Sequence, residues 1–176
     1  TNAGKSSIMR CLSGSKVYVQ DQLFATLDTT TRKVEVKNQC DFLLSDTVGF
    51  IRKLPHDLIA SFRSTLMEIE EADLIIKVLD ASSSNIELHL STISDVFKSL
   101  NISKKIELIV FNKIDLIDSN KIARLKGDYP DAVFVSAHKK IKINELAQSI
   151  QSKLSSLNVL SDLIIPYSQF SIIDYI

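Results

Sequence analysis

The sequence is poor in the features that mark secreted, membrane-spanning or strongly nucleic-acid-binding proteins. Its only cysteines are Cys11 and Cys40, too few for a disulfide framework or a zinc site. Lysine plus arginine equals aspartate plus glutamate at 21 each, so overall charge gives no support to binding of DNA. No apolar run is long enough to span a membrane, and no signal peptide is visible. These absences favour a cytoplasmic protein with two free thiols.

The sequence does contain enough apolar residues for one folded domain. Of its 176 residues, 45% are apolar and 24% are charged, which is ordinary for a globular protein with a real core. We predict that this domain covers residues 1–158. Residues 159–176 are predicted to be a linker and the truncated start of a further small domain.

Patterns typical of strands and helices alternate along the chain. Strand patterns occur at residues 33–37, 42–44, 74–79, 106–111 and 132–135. Helix patterns occur at residues 6–13, 57–71, 86–100 and 143–157, and the polar stretch 21–32 is predicted to be a loop. This alternation predicts a three-layer α/β fold, in which a mainly parallel sheet carries helices on both faces. Ligands of such sheets bind at the carboxyl ends of the strands.

The first residues carry a glycine-lysine-serine sequence that is typical of a phosphate-binding loop. It matches the last positions of the pattern G-x-x-x-x-G-K-[ST]. The glycine lets backbone amides turn toward phosphates, the lysine supplies positive charge to the β and γ phosphates, and the serine offers a hydroxyl to Mg²⁺. A chance match at the start of a helix is the alternative. The predicted phosphate-binding residues are Asn2, Ala3, Gly4, Lys5, Ser6 and Ser7.

A second polar motif, residues 46–49, directly follows an apolar strand pattern. The carboxylate of Asp46 can hold a water ligand of Mg²⁺. Gly49 can bring a backbone N–H close to a γ-phosphate, because it has no side chain in the way. An ordinary turn after a strand is the alternative reading of this motif.

The third and fourth motifs follow later strand patterns and suit recognition of a guanine base. Asp115 can accept hydrogen bonds from the N1–H and the 2-amino group of guanine, which adenine cannot offer. Lys113 can lay its aliphatic stem across the ring, and Asn112 can tie loops together. Ser136 and Ala137 end the next strand, where a backbone amide could reach the guanine O6. Each motif alone also fits a polar turn.

The joint occurrence of these motifs is more specific than any one of them. All four stand in one order, with the magnesium motifs before the base-reading motifs. The chain therefore resembles the guanine-nucleotide domain of P-loop GTPases over roughly residues 1–157. A narrower resemblance rests on residues 1–6, 21–28, 46–58 and 62–66, which are similar to the HflX family. HflX proteins are bacterial GTPases associated with the large ribosomal subunit.

The resemblance implies further assignments. Thr26 corresponds to the switch I threonine that contacts Mg²⁺ and the γ-phosphate, although spacing alone leaves Thr29, Thr30 and Thr31 as rivals. Ser6, Thr26 and, through water, Asp46 are then the magnesium ligands. Residues 165–167 resemble the entry to the small C-terminal domain of the family.

The implied function is hydrolysis of GTP to GDP and phosphate on the 50S subunit, in ribosome recycling or rescue under stress. Two alternatives stay open. One is a nucleotide-dependent binding switch with marginal hydrolysis. The other is another bacterial GTPase, of ribosome assembly or tRNA modification.

The catalytic residue is not evident from the sequence. Many small GTPases place a water-orienting glutamine directly after the D-x-x-G motif, whereas this chain has Phe50. Phenylalanine cannot orient or activate water, so slow intrinsic hydrolysis is expected. By resemblance Asn2 is a candidate ligand for K⁺ beside the phosphates; a loop-stabilising Asn is the alternative.

The phosphate-loop pattern lacks its leading glycine, which would stand two positions before Thr1. We therefore expect a preceding strand, by resemblance between the strands that end at Asp46 and Asp80. Without that strand, residues 1–176 alone are expected to fold badly and to bind GTP poorly.

Overall fold

The computed structural model describes residues 2–14, 30–36, 40–46, 69–99 and 105–157. The strands of these segments are β1 (Thr30–Val34), β2 (Phe42–Asp46), β3 (Leu74–Asp80), β4 (Ile106–Asn112) and β5 (Val133–Phe134). The helices are α1 (Lys5–Ser13), α2 (Ile86–Ser99), α3 (Ser119–Asp128) and α4 (Ile143–Ser155). A 3₁₀ turn covers Ile114–Leu116, and residues 69–71 are helical.

The described strands form two sheets. β3, β4 and β5 lie side by side in a parallel sheet with β4 in the centre. β1 and β2 form an antiparallel pair, in which Thr30 lies opposite Asp46. In the parallel sheet Asp80 is the register partner of Asn112, so β3 and β4 end at the same level. The carboxyl ends of these two strands therefore form one polar edge.

Strand β4 has apolar residues on both of its faces, as a central parallel strand should. On one side Leu108 and Val110 belong to a core cluster with residues of α1 and α4. On the other side Phe111 belongs to a second cluster with residues of α2 and α3. Phe111 also stacks on Phe134, with ring centroids 5.1 Å apart. Helices thus cover both faces of the parallel sheet, and the predicted α/β fold class is confirmed.

Most of the predicted elements are confirmed within a few residues, but the extent of one loop was wrong and one helix was missed. β1 begins at Thr30, inside the predicted loop 21–32, because its pairing with β2 orders residues of low apolar periodicity. Helix α3 was not predicted, since few of its side chains pack into the core. Its start signal was present, because Asp118 caps the helix by accepting a hydrogen bond from the Lys121 amide at 2.7 Å.

Some predictions fall outside the described residues. Most of the helix predicted at residues 57–71 does so, and so does the segment 159–176. A strand between those ending at Asp46 and Asp80 stays a prediction; in the described residues these two strands belong to separate sheets. None of the described helices is long and apolar enough to be a candidate membrane span.

Candidate nucleotide-binding site

The residues before helix α1 form a turn that only certain residues can adopt. Gly4 has φ 89° and ψ 31°, and Asn2 has φ 60°, so both lie in the left-handed region. Helix α1 then begins at Lys5 and ends at Ser13, and it is capped by Gly14, whose amide donates to the carbonyl of Arg10 at 3.1 Å. The first turn of such a helix presents backbone N–H groups, which favour a bound anion.

Gly4 is required for a second, steric reason. A Cβ atom added at Gly4 would overlap the side-chain nitrogen of Asn112 and lie 3.6 Å from its Cγ. The backbone of the phosphate loop therefore rests directly on the end of strand β4. The close approach explains why a residue with any side chain does not fit at this position.

Asn112 joins the two halves of the site. Its Nδ2 donates to the carbonyl of Ala3 at 2.9 Å, and its Oδ1 accepts from the Ala137 amide at 3.0 Å. The side chain is only 3% exposed, so these hydrogen bonds are made away from solvent and fix its orientation. Asn112 thus ties loops together, as the sequence suggested, and holds the phosphate loop and the predicted base-binding turn at a fixed separation.

The predicted magnesium residues of α1 and β2 meet. Ser6 lies in the first turn of α1, and its hydroxyl donates to Oδ2 of Asp46, the last residue of β2. Asp46 is 6% exposed. A hydroxyl and a carboxylate are oxygen ligands of the kind that Mg²⁺ prefers, so these two residues fit that ion. The other predicted residues of this part of the site, Thr26 and Gly49, lie outside the described residues.

Lys5 is a positively charged residue that directly precedes Ser6 of the Ser6–Asp46 pair in the sequence. Burial lowers the pKa of Lys5 below its ordinary value, and attraction to the Asp46 carboxylate acts in the opposite direction. A buried ammonium group is costly unless anions surround it. The arrangement therefore favours the arrival of further negative charge beside Lys5, as a phosphate would supply.

Lys113 and Asp80 form an ion pair between neighbouring strand ends. Lys113 Nζ lies 2.8 Å from Asp80 Oδ2. Although burial acts to raise the pKa of Asp80, hydrogen bonds from Lys113 and Ser82 outweigh it and hold that pKa below its ordinary value. Asp80 had been predicted only as a strand end. The sequence did carry a signal for it, because Asp80, like Asp46, is a carboxylate at the end of a mainly apolar strand.

Asp115 is held by the turn that follows β5. Its Oδ1 accepts a hydrogen bond from the Ser136 hydroxyl at 2.5 Å, and this bond lowers the pKa of the Asp115 carboxyl. Ser136 is fully buried, and its Oγ also accepts from the Lys139 amide at 3.1 Å. The bonds keep Asp115 ionised and oriented, which is the state that accepts hydrogen bonds from a base.

The backbone amides of Ser136 and Ala137 are both engaged. The Ser136 amide donates to the Ile141 carbonyl at 3.1 Å, and the Ala137 amide donates to Asn112 Oδ1. The expectation that one of them reaches the guanine O6 stays a prediction; in a bound state that amide would share its hydrogen with, or exchange, its present partner. The Ala137 carbonyl accepts a bond from the Cys11 thiol at 3.3 Å, so α1 also fixes this turn.

The structure brings most of the predicted site residues to one edge of the molecule. Direct contacts connect Ala3, Gly4, Asn112 and Ala137, and further contacts connect Ser6 with Asp46 and Ser136 with Asp115. Phe50 lies outside the described residues, as Thr26 and Gly49 do. The residues that the sequence did not single out are Asp80, Ser82 and, for its contact with Ala137, Cys11.

Comparison with known proteins agrees with this geometry. The family described as "50S ribosome-binding GTPase" matches residues 1–113 of the chain. The GTPase HflX of Gluconacetobacter diazotrophicus is 43% identical over 173 residues, which cover 98% of this chain and 38% of that protein. The GTPase HflX of Escherichia coli K12 is 38% identical over 157 residues, which cover 88% of this chain and 37% of that protein.

A solved structure is similar over most of the chain. A GTP-binding protein from Sulfolobus solfataricus, crystallised in complex with GDP, has a TM-score of 0.69 and 26% sequence identity. The match covers 90% of this chain and 51% of that one. The chain spans about two fifths of the length of the two HflX relatives above. Its motifs, its fold and these matches agree, and the chain belongs to the HflX family of P-loop GTPases.

Proposed function

We propose that the protein binds GTP and hydrolyses it to GDP and phosphate with magnesium, as a G domain over residues 1–158. The observation that carries this proposal is the position of Asn112. One buried side chain bonds both the loop with phosphate-binding sequence and the turn beside Asp115. A site for phosphates and a site for a base are thus coupled at a fixed distance, as one nucleotide requires.

The phosphate end of the proposed site uses charge and backbone amides. Lys5 neutralises the β and γ phosphates, and the start of α1 offers N–H groups to them. Ser6, Thr26 and, through water, Asp46 would hold Mg²⁺, which would supply positive charge to neutralise the phosphates. The Ser6–Asp46 contact supports this assignment, because it shows that the two side chains reach each other. Gly49 is proposed to donate its N–H to the γ-phosphate.

The base end of the proposed site reads guanine. Asp115 accepts from N1–H and the 2-amino group, and the stem of Lys113 lies across the ring. Support comes from the Ser136–Asp115 bond, which leaves Asp115 ionised at neutral pH. A neutral carboxyl would present one donor and one acceptor, and it would match guanine less well.

Hydrolysis itself depends on residues that position water, and Phe50 stands where many GTPases have glutamine. We propose that Asn2 binds a K⁺ ion beside the phosphates and so compensates in part. Its exposed position two residues before Gly4, at φ 60°, is compatible with this role. A potassium-dependent rate would support the assignment.

The partner we propose is the large ribosomal subunit, and the setting is the cytoplasm, in ribosome recycling or rescue under stress. Support for the partner comes from the family described as "50S ribosome-binding GTPase", which matches residues 1–113; the role in recycling or rescue is what the resemblance to HflX proteins implies. Residues 159–176 are proposed to lead into a small C-terminal domain.

The test is single-turnover hydrolysis of GTP, and of ATP for comparison, by the protein as encoded, with and without large ribosomal subunits and with K⁺ or Na⁺ as the salt. We expect hydrolysis of GTP but not of ATP, a faster rate with subunits, and a faster rate in K⁺. Equal rates of GTP hydrolysis in K⁺ and Na⁺ would contradict the proposal that Asn2 binds K⁺. No hydrolysis under any of these conditions would contradict the proposed GTPase activity.

A second candidate function is a binding switch in which GTP loading matters and hydrolysis is marginal. Phe50 favours it, since the usual water-orienting side chain is absent from that position. The two functions differ in one outcome of the same experiment. A switch binds large subunits only in the GTP form, and its hydrolysis rate stays low when they are added.

A further inference from the structure

Asp80 and Lys113 are joined at the ends of two neighbouring parallel strands. Asp80 is the last residue of β3, and Lys113 follows directly on the last residue of β4. Their side chains are 24% and 27% exposed, and the ion pair has a distance of 2.8 Å. A pair that is three-quarters buried is screened less by salt than a surface pair.

Asp80 is itself held in place by the turn that follows it. Its Oδ1 accepts hydrogen bonds from the Ser82 amide at 2.9 Å and from the Ser82 hydroxyl at 2.6 Å. The other carboxylate oxygen, Oδ2, is thereby directed to Lys113. Each oxygen of Asp80 has its own partner, so the carboxylate cannot rotate without breaking these bonds.

The turn that follows Asp80 is also anchored to helix α3. Lys121 Nζ donates to the carbonyl oxygens of Ser82 and Ser83 at 3.2 and 3.3 Å. The amide of Ala81 donates to the Asn112 carbonyl at 2.8 Å, which extends the β3–β4 pairing one residue past the end of β3. Asp80 therefore stands on a rigid support that includes the residue preceding Lys113.

Lys113 has a constrained backbone as well. Its φ of 64° and ψ of 34° lie in the left-handed region, which a lysine adopts only where its surroundings enforce it. With both the backbone and the ammonium group fixed, the four-carbon stem between them loses most of its rotamer freedom before any ligand binds. Ordering a lysine stem on binding is otherwise costly in entropy.

We propose that Asp80 is a positioning residue for guanine recognition, which fixes the ammonium group of Lys113 so that the stem is already laid out for the base. This inference rests on the proposed function, since it takes Lys113 to be a guanine contact. Asp80 acts through Lys113 and does not touch the nucleotide. The ligand concerned is a guanine nucleotide, in the diphosphate or the triphosphate form.

The test is a double-mutant cycle in the protein as encoded, with GDP affinity as the readout. Asp80→Asn keeps the size of the side chain and removes its charge, and Lys113→Met keeps the apolar stem without the ammonium group. We expect Asp80→Asn to weaken GDP binding about fivefold, as for loss of one partly buried ion pair. In the Lys113→Met background, Asp80→Asn should have no further effect on GDP affinity, because Asp80 influences the base only through the Lys113 ammonium group.

A matched control separates positioning from general damage. Lys33 and Asp41 form another ion pair at 2.8 Å, beside the antiparallel β1–β2 pair and with side chains 59% and 39% exposed, and Asp41→Asn is the same chemical change. We expect it to leave GDP affinity unchanged. If Asp80 had a merely structural role, Asp80→Asn would weaken GDP binding equally in the unmutated and the Lys113→Met backgrounds. That result would overturn the proposal.

Two other outcomes are also decisive. Tighter or unchanged GDP binding by Asp80→Asn would overturn the proposal, because it would mean that the ion pair withholds Lys113 from the base or is irrelevant to it. Failure of the unmutated protein to bind GDP or GTP would instead contradict the proposed function. The unmutated protein is measured first, so the two failures are distinguishable.

Discussion

The side-chain nitrogen of Asn112 donates a hydrogen bond to the carbonyl of Ala3, which lies 109 positions earlier in the chain, at 2.9 Å. The oxygen of the same side chain accepts from the Ala137 amide. Three segments that are distant in sequence therefore depend on one amide group. The contact also leaves no space for a side chain on Gly4, whose backbone passes over Asn112.

Gly4→Ala should destabilise the protein and abolish nucleotide binding. The left-handed backbone conformation costs an alanine about 1–2 kcal/mol. The overlap with Asn112 adds to that cost, and relieving it means moving the phosphate loop or breaking the Ala3–Asn112 bond. The measurements are urea unfolding and GDP binding.

Two other glycines serve as controls for that experiment. Among the described residues, no heavy atom apart from the chain neighbours and the local helix backbone comes within 4 Å of a Cβ added at Gly14 or Gly127. Gly14→Ala should cost only about 1 kcal/mol, because its φ of 65° is still left-handed. Gly127→Ala, in helix α3, should stabilise by about 0.5 kcal/mol. Both variants should bind GDP normally. Equal loss of binding in Gly4→Ala and Gly14→Ala would contradict the steric argument.

Asp115→Asn should change the base preference of the protein from guanine to xanthine. Xanthine presents an acceptor where guanine presents its 2-amino group, so an amide donor suits it and a carboxylate does not. Loss of charge-assisted hydrogen bonds at about 1.5–3 kcal/mol each predicts GTP binding weaker by at least about tenfold. The measurement is the ratio of the affinities for GTP and xanthosine triphosphate.

Asp118→Asn is the matched control for the specificity change. Asp118 caps α3 through its bond from the Lys121 amide, and asparagine is an equally good capping residue. This variant should keep its preference for GTP. If Asp115→Asn also kept the preference of the unmutated protein, the role given to Asp115 would be wrong.

The Asp80 carboxylate should make an acid-sensitive contribution to stability. Its pKa is lowered in the folded protein from an unperturbed value of 3.8. A group with a lowered folded-state pKa stabilises above its unfolded-state pKa and loses that contribution as pH falls through the folded-state value. The difference in unfolding free energy between the unmutated protein and Asp80→Asn should thus be constant from about pH 7 to 5 and shrink below about pH 4.

Urea unfolding at stepwise lower pH provides this measurement. The comparison of the two proteins at each pH cancels the titration of the other carboxylates, as long as those do not contact Asp80. A difference that grows as the pH falls would mean that the folded-state pKa of Asp80 is raised, which contradicts the ion pair with Lys113 as the dominant interaction.

Much of this protein could be predicted from local patterns. The glycine-lysine-serine sequence, the carboxylate Asp46 after a strand and the sequence Asn112 to Asp115 each carry their chemistry in residue types at fixed spacing. Strand β4 was recognisable from the continuous apolar run at residues 108–111. Helix α3 was missed, because a helix that buries little has a weak apolar periodicity and is indicated mainly by its cap.

The sequence alone determined the fold class, the family resemblance and the residue types of the nucleotide site, since these depend on short-range spacing. Tertiary structure decided which of these groups touch. Asp80 and Lys113 are 33 positions apart, and only the parallel register of β3 and β4 brings them within 2.8 Å. Likewise, only the fold shows that the Ala137 amide is engaged by Asn112. Contacts of this kind depend on strand order and backbone direction, which no local pattern encodes.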